Sequence, residues 1–171
     1  MSLPALRAVR ARFPDAHIAM LALPWVAELF ARESFANEVI PYSAPRGAGG
    51  WRAKWRIGRR LAEGRFDVAL ILPNSFDSAL IPWLARIPRR IGYARDGRQW
   101  LLTDACRAPA RGEIPRHESY YYLELLRQAG WVDKLPGEMT IRLEGIGQAA
   151  AEGRELLGRR GLALPVLGVS P

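Results

Sequence analysis

Apolar residues alternate along this chain between two rhythms. Short continuous runs at residues 17–23, 38–42 and 68–72 have the form of strands buried on both faces of a parallel sheet. Between them, apolar positions repeat at three- and four-residue spacing, which predicts helices at residues 3–12, 24–30, 51–63, 117–129 and 145–160. Further short strands are predicted at 91–93, 101–104, 140–143 and 166–170. Pro4 suits a first helical turn and Ser2 a cap before it, while Gly130 and Gly161 close the last two helices.

The clearest unit runs from Phe66 to Tyr93. Its apolar strand stops at Pro73, Asn74 and Ser75 form a polar turn, and Leu80, Ile81 and Leu84 restart the pattern at helical spacing. Strand, turn, helix, strand is the repeat of an α/β fold, and in open parallel sheets ligands bind where such turns leave the carboxyl ends of strands. The chain therefore reads as a Rossmann-like parallel sheet with helices on both faces. A doubly wound domain usually opens with a strand, whereas this chain opens with a helix and closes on an uncovered strand. It is expected to be a fragment truncated at both ends, with one domain over residues 1–162 and the start of a second over 163–171.

Length and composition fit that picture. The 171 residues, nearly half of them apolar, suffice for one substantial core. The formal net charge is +8, and of the 25 basic residues only Lys54 and Lys134 are lysines. Arginine favours bidentate contact with phosphate and carboxylate; biased codon usage explains the same excess, so both readings stand. Cys106 is the single cysteine, and His17 and His117 are the two histidines, too few for a cysteine-rich or histidine-based metal site. No signal peptide or membrane-length apolar run is evident. A cytosolic location is expected, with contact at a membrane surface.

Four groups could carry chemistry. Asn74, Ser75 and Ser78 offer an amide, hydroxyls and a helix start to a sugar or anion, or they only end the strand and cap the helix. Arg86, Arg89, Arg90, Arg95 and Arg98 surround Gly92 and Tyr93; they form an anion site or a solvated basic surface, and at most one of the adjacent pair Arg89 and Arg90 can face a cleft. The helix at 51–63 sets Arg52, Arg56, Arg59 and Arg60 along one side with Trp51 and Trp55 beside them, a pattern for a membrane headgroup region, for nucleic acid, or for a plain exposed face. His117 stands at a helix start, as a ligand to a hydroxyl or as a local cap. No nucleophile with its base is found.

Taken together, Ser2-Leu3-Pro4-Ala5-Leu6-Arg7, Phe13-Pro14-Asp15-Ala16, Pro73-Asn74-Ser75-Phe76 with Ser78-Ala79, Arg90-Ile91-Gly92-Tyr93, and His117 with Tyr121-Tyr122-Leu123 resemble the N-terminal domain of the bacterial heptosyltransferases of glycosyltransferase family 9, those acting second on the lipopolysaccharide core above all. The resemblance implies a glycosyltransferase-B architecture of two Rossmann-like domains, with ADP-heptose as donor on the second and a Kdo- and heptose-bearing lipid A core as acceptor on the first. It implies inverting transfer with no cofactor and no metal, by a monomer at the cytoplasmic side of a Gram-negative inner membrane, with no nucleic acid partner. The family's base is an Asp that would fall before Met1, so this chain alone is expected not to transfer heptose. The acceptor-side residues it implies are Asn74, Ser75, Ser78, Arg90, Tyr93, Arg98, Arg52, Arg56, Arg59 and His117.

Overall fold

A computed structural model describes residues 1–43, 50–162 and 165. Its elements, in chain order, are α1 (Leu3–Arg12), β1 (Ala19–Ala22), α2 (Pro24–Phe30), β2 (Glu38–Pro41), α3 (Trp51–Glu63), β3 (Val68–Ile71), α4 (Phe76–Leu84), β4 (Arg89–Tyr93), a 3-10 turn (Gln99–Leu101), β5 (Asp104–Cys106), α5 (Glu118–Gln128) and α6 (Ile146–Arg159). All strand pairs are parallel. β1 pairs with β2, and β3, β4 and β5 form a second ladder in that order. The Rossmann-like reading of the sequence therefore holds.

Two helical layers cover the strands. On one face α3 and α4 bring Ile57, Leu61, Ile81, Ala85 and Ile87 onto Ala19, Leu21 and Ile40 of the first ladder and Ala69 of the second. On the other, α1 and α5 pack Ala5, Leu123 and Leu126 against Leu70, while Leu3, Phe30 and Phe35 cover Met20. Alternate residues of β1 and β3 thus point into opposite layers, as strand periodicity demands. β1 and β3 share both covering layers without being hydrogen-bonded to each other.

Several expectations need correction. Leu101 and Leu102 do not form a strand. They turn through the 3-10 segment to bury against Ile71, Ala79 and Leu80, and the strand begins two residues later at Asp104. Residues 140–143 pair with no strand; Leu143 instead packs beside the Phe30–Phe35 cluster. Ser2 precedes α1 but its side chain makes no capping bond. The strand expected at 166–170 lies outside the described residues, as do residues 44–49 before α3 and nearly all of the segment assigned to a second domain.

Arg65 and Arg86 follow α3 and α4 in the left-handed region, at φ 47° and 56°, where a Cβ is strained. Arg65→Gly and Arg86→Gly are each expected to stabilise the chain by about 1 kcal/mol, read as an upward shift of the urea midpoint. Glu124, almost fully buried, accepts from Arg127 at 2.7 and 2.8 Å, and this bond holds its carboxyl below the ordinary range. Its stabilising contribution is complete above the ordinary carboxylate pKa and is lost as pH falls through the lowered folded value.

Candidate functional site at the carboxyl edge of the sheet

The β3–α4 turn is built by one side chain. Arg98 is fully buried between the turn and the end of β4. Its Nε donates to the Tyr93 carbonyl at 3.0 Å, and its Nη1 donates to Ser78 Oγ at 2.8 Å, to the Ser75 carbonyl at 3.1 Å and to the Pro73 carbonyl. Ser78 Oγ in turn donates to the Ser75 carbonyl at 2.6 Å. Nη2 finds no acceptor among the described residues and lies against Gly92, where an added Cβ would stand 3.4 Å from it and 3.4 Å from Ile71. A side chain at Gly92 would therefore press closely on both Arg98 and β3. Burial draws the guanidinium below its usual pKa.

Tyr93 is likewise enclosed. Its hydroxyl donates to the Tyr121 carbonyl at 2.6 Å, its ring packs 4.4 Å from that of Tyr121, and burial pushes the phenol far above its usual range. Tyr121 belongs to the motif residues of the family resemblance but not to the expected ligand contacts, and the structure brings it to the turn. Its hydroxyl meets the Asn74 side chain, donating to Oδ1 at 3.2 Å and accepting from Nδ2 at 2.9 Å. Forty-seven residues separate the two in sequence, so no local spacing could have joined them.

His117 caps α5, its Nδ1 accepting from the Ser119 amide at 3.3 Å, while Ser119 Oγ donates to the Met1 carbonyl at 2.8 Å. The starts of α1 and α5 therefore meet at this edge. Lys54 Nζ lies 2.7 Å from Asp77, bringing the starts of α3 and α4 together on the other face of the sheet. Helix N-termini carry partial positive charge, so four of them at one edge favour an anionic ligand.

Of the ten residues expected to bind a ligand, Asn74, Ser75 and His117 are gathered at this edge with accessible surface. Ser78, Tyr93 and Arg98 are turned inward to the chain's own groups and shape the turn. Arg90 stands at the opposite end of its strand, donating to the Leu101 carbonyl at 2.7 Å and to the Ile87 carbonyl. A guanidinium that satisfies local carbonyls at the amino end of β4 cannot reach a ligand at the carboxyl end. Arg89 is paired with Asp104 at 2.8 Å at that same far end. The five-arginine cluster thus disperses, leaving Arg95 exposed on the turn after β4 as its accessible member at the carboxyl edge. Arg52, Arg56 and Arg59 lie on the outward face of α3; Arg52, in the first turn, is nearest the edge, and the others run down the helix away from it.

The edge is an open wall. Grooves of about 380 and 390 Å³ lie elsewhere, one beside Arg65, Asp67 and Arg86 and the other between α2 and α6. Among the described residues no group of three His, Cys, Asp or Glu side chains is placed to hold a metal ion.

Parallel strands covered by helices on both faces define a Rossmann-like domain. Residues 54–144, more than half of the chain, match the family model for glycosyltransferase family 9 (heptosyltransferase). The chain belongs to this family, as the sequence motifs indicated. It is 43% identical over 105 residues to lipopolysaccharide heptosyltransferase 2 of Salmonella typhimurium, a match covering 61% of this chain and 30% of that protein. It is 40% identical over 104 residues to the Escherichia coli protein of the same name, with the same coverage. The solved structure of the E. coli ADP-heptose LPS heptosyltransferase II aligns over 95% of this chain and 47% of its own, at a TM-score of 0.70 and 28% identity. A family 9 glycosyl transferase from Veillonella parvula aligns over 99% and 50%, at a TM-score of 0.74; at 17% identity that likeness is one of fold alone. The chain spans about 30% of the length of the curated relatives it matches.

Proposed function

We propose that this chain is the acceptor-binding part of a lipopolysaccharide heptosyltransferase, which transfers heptose from ADP-heptose to the inner core at the cytoplasmic face of the inner membrane. The observation that carries this reading is its 43% identity over 105 residues with a heptosyltransferase 2, beside a family match over residues 54–144 that includes the Asn74 turn and Tyr121. The geometry supports it. Asn74 is oriented by Tyr121 and presents an amide to a sugar hydroxyl, while converging helix starts and Arg95 suit the carboxylates and phosphates of a Kdo-bearing core. The wall is open, which suits a cleft completed by a facing donor domain.

The split sheet supports a further strand in the whole protein. β1 and β3 lie under the same helices with no ladder between them, and α1 spans the space. A strand between them, leading into α1 and then β1, would complete a right-handed crossover and one continuous sheet. The donor ADP-heptose, metal independence and a monomeric state belong to the same proposal.

The test is transfer by the whole protein that contains this chain. Incubated with ADP-heptose and a core acceptor carrying Kdo and one heptose, it is expected to add the mass of a single heptose. Asn74→Ala is expected to raise KM for the acceptor about tenfold, the worth of one well-placed hydrogen bond, and to leave KM for ADP-heptose unchanged. Transfer of another sugar, or none to any core acceptor by a folded protein, contradicts the assignment.

A further inference from the structure

Five of the six tryptophans are exposed; Trp25 lies on α2, and the other four belong to one helical layer. Trp51 and Trp55 lie on α3, Trp83 on α4 and Trp100 on the 3-10 turn, all in the layer that covers the Ala69 and Ile71 side of the sheet. They are between 43% and 61% exposed, although each is large enough to fill a core position. Trp100 packs edge-on against Trp83 at 6.3 Å and leans on Phe76 at 5.8 Å, so this part of the face is a joined aromatic surface. The same layer carries the densest positive charge. α3 buries Lys54, Ile57, Gly58 and Leu61 and turns Arg52, Arg56, Arg59 and Arg60 outward; Glu63 is the one carboxylate on the helix itself, and Glu38 lies 3.8 Å from Arg60. Arg59 stands over the Trp55 ring at 5.0 Å, holding a guanidinium and an indole at the same height.

We infer that this face is a docking surface for an anionic phospholipid bilayer. Charge complementarity selects that occupant. Tryptophan and arginine share a preference for the headgroup region, where the indole body meets acyl chains and the cation meets phosphate. A helix with tryptophans on one border and arginines across its outer side is the form of an element lying in that plane. No helix among the described residues is long and apolar enough to cross a membrane. The sequence alone leaves Trp51, Trp55 and the α3 arginines open to several anionic partners; the structure adds Trp83 and Trp100 in the same layer, with α3 packed on α4. The Lys54–Asp77 pair ties this face to the start of α4 and hence to the Asn74 turn, so docking brings the acceptor wall to headgroup height. The setting rests on the proposed lipid-linked acceptor, whereas the lipid contact itself does not require the acceptor.

Vesicles free of lipopolysaccharide separate the two. In flotation, the chain is expected to bind 70:30 phosphatidylethanolamine:phosphatidylglycerol vesicles and to leave phosphatidylcholine vesicles behind. Each arginine near an anionic surface is worth about fivefold in partitioning. Arg52→Glu/Arg56→Glu should therefore weaken binding by at least about tenfold, while Arg111→Glu/Arg154→Glu, an equal change in net charge elsewhere, should leave it within about threefold. Trp55→Ser/Trp83→Ser should weaken binding and reduce fluorescence quenching by brominated lipid, with the circular dichroism spectrum of each variant showing it folded. Equal binding to phosphatidylcholine, equal losses in both arginine pairs, or a dimer broken by the tryptophan changes without any vesicle binding overturns the inference. A protein that transfers heptose yet ignores these vesicles defeats this inference alone, and one that binds them yet transfers no heptose defeats only the proposed function.

Discussion

Arg98→Ala is expected to lower the unfolding free energy by about 4 kcal/mol, a large share of the 5–15 kcal/mol typical of a domain. The guanidinium is fully buried, which by itself opposes folding. The bonds it makes decide the sign. Three carbonyls and a hydroxyl from two turns converge on it, and without it each loses a charge-assisted partner while the volume of the guanidinium is left as a cavity. Arg98→Lys should recover only part of the loss, because one ammonium cannot reproduce the planar fork that spans Tyr93 and the 73–78 turn. Urea denaturation measures the total, and amide exchange shows where it falls: faster exchange at Ser78 and Leu101, whose amides close the two turns on the Ser75 and Arg98 carbonyls. A loss under about 1 kcal/mol would mean that the turn keeps its shape unaided.

The second large effect is in the core beneath the site. Leu126→Ala is expected to cost about 3 kcal/mol, or roughly 10 °C in Tm for a chain of this size. Leu126 is fully buried in the cluster that joins α5 to Ala5 of α1 and to Leu70 of β3, so the cavity cannot collapse without moving an element. α5 also carries His117 and Tyr121, and a loosened α5 should therefore lower acceptor affinity as well as Tm. Leu156→Ala on α6, half exposed, serves as the control and should change stability by no more than about 0.5 kcal/mol.

The elements whose apolar pattern is regular were legible in the sequence. The helix expected at residues 51–63 is α3 as observed, and the 68–72 run, the polar turn and the helix after it form the β3–α4 unit. The misplaced strand near residue 101 shows the limit. Leu101 and Leu102 are buried as their hydrophobicity demands, but burial alone does not distinguish an extended segment from a 3-10 turn. The candidate site was half legible. Asn74 and Ser75 mark a strand end by local turn chemistry, which sequence carries. The arginine cluster and the family resemblance both point Arg98 at a ligand, whereas the structure encloses it. Its enclosure depends on carbonyls from residues 73, 75 and 93, and the Asn74–Tyr121 pair depends on the packing of α5; neither is written in local spacing. The arginine cluster was a cluster only along the chain, since one strand length separates its two ends.

The account rests on this carboxyl edge holding a lipopolysaccharide core. Isothermal titration of the purified chain with a delipidated core oligosaccharide carrying Kdo and heptose tests it most directly. Saturable binding is predicted, weakened about tenfold by Asn74→Ala and unchanged by Arg90→Gln so long as that variant is folded. Binding of equal strength to generic DNA, or binding to the core that ignores Asn74 while depending on Arg90, would contradict it.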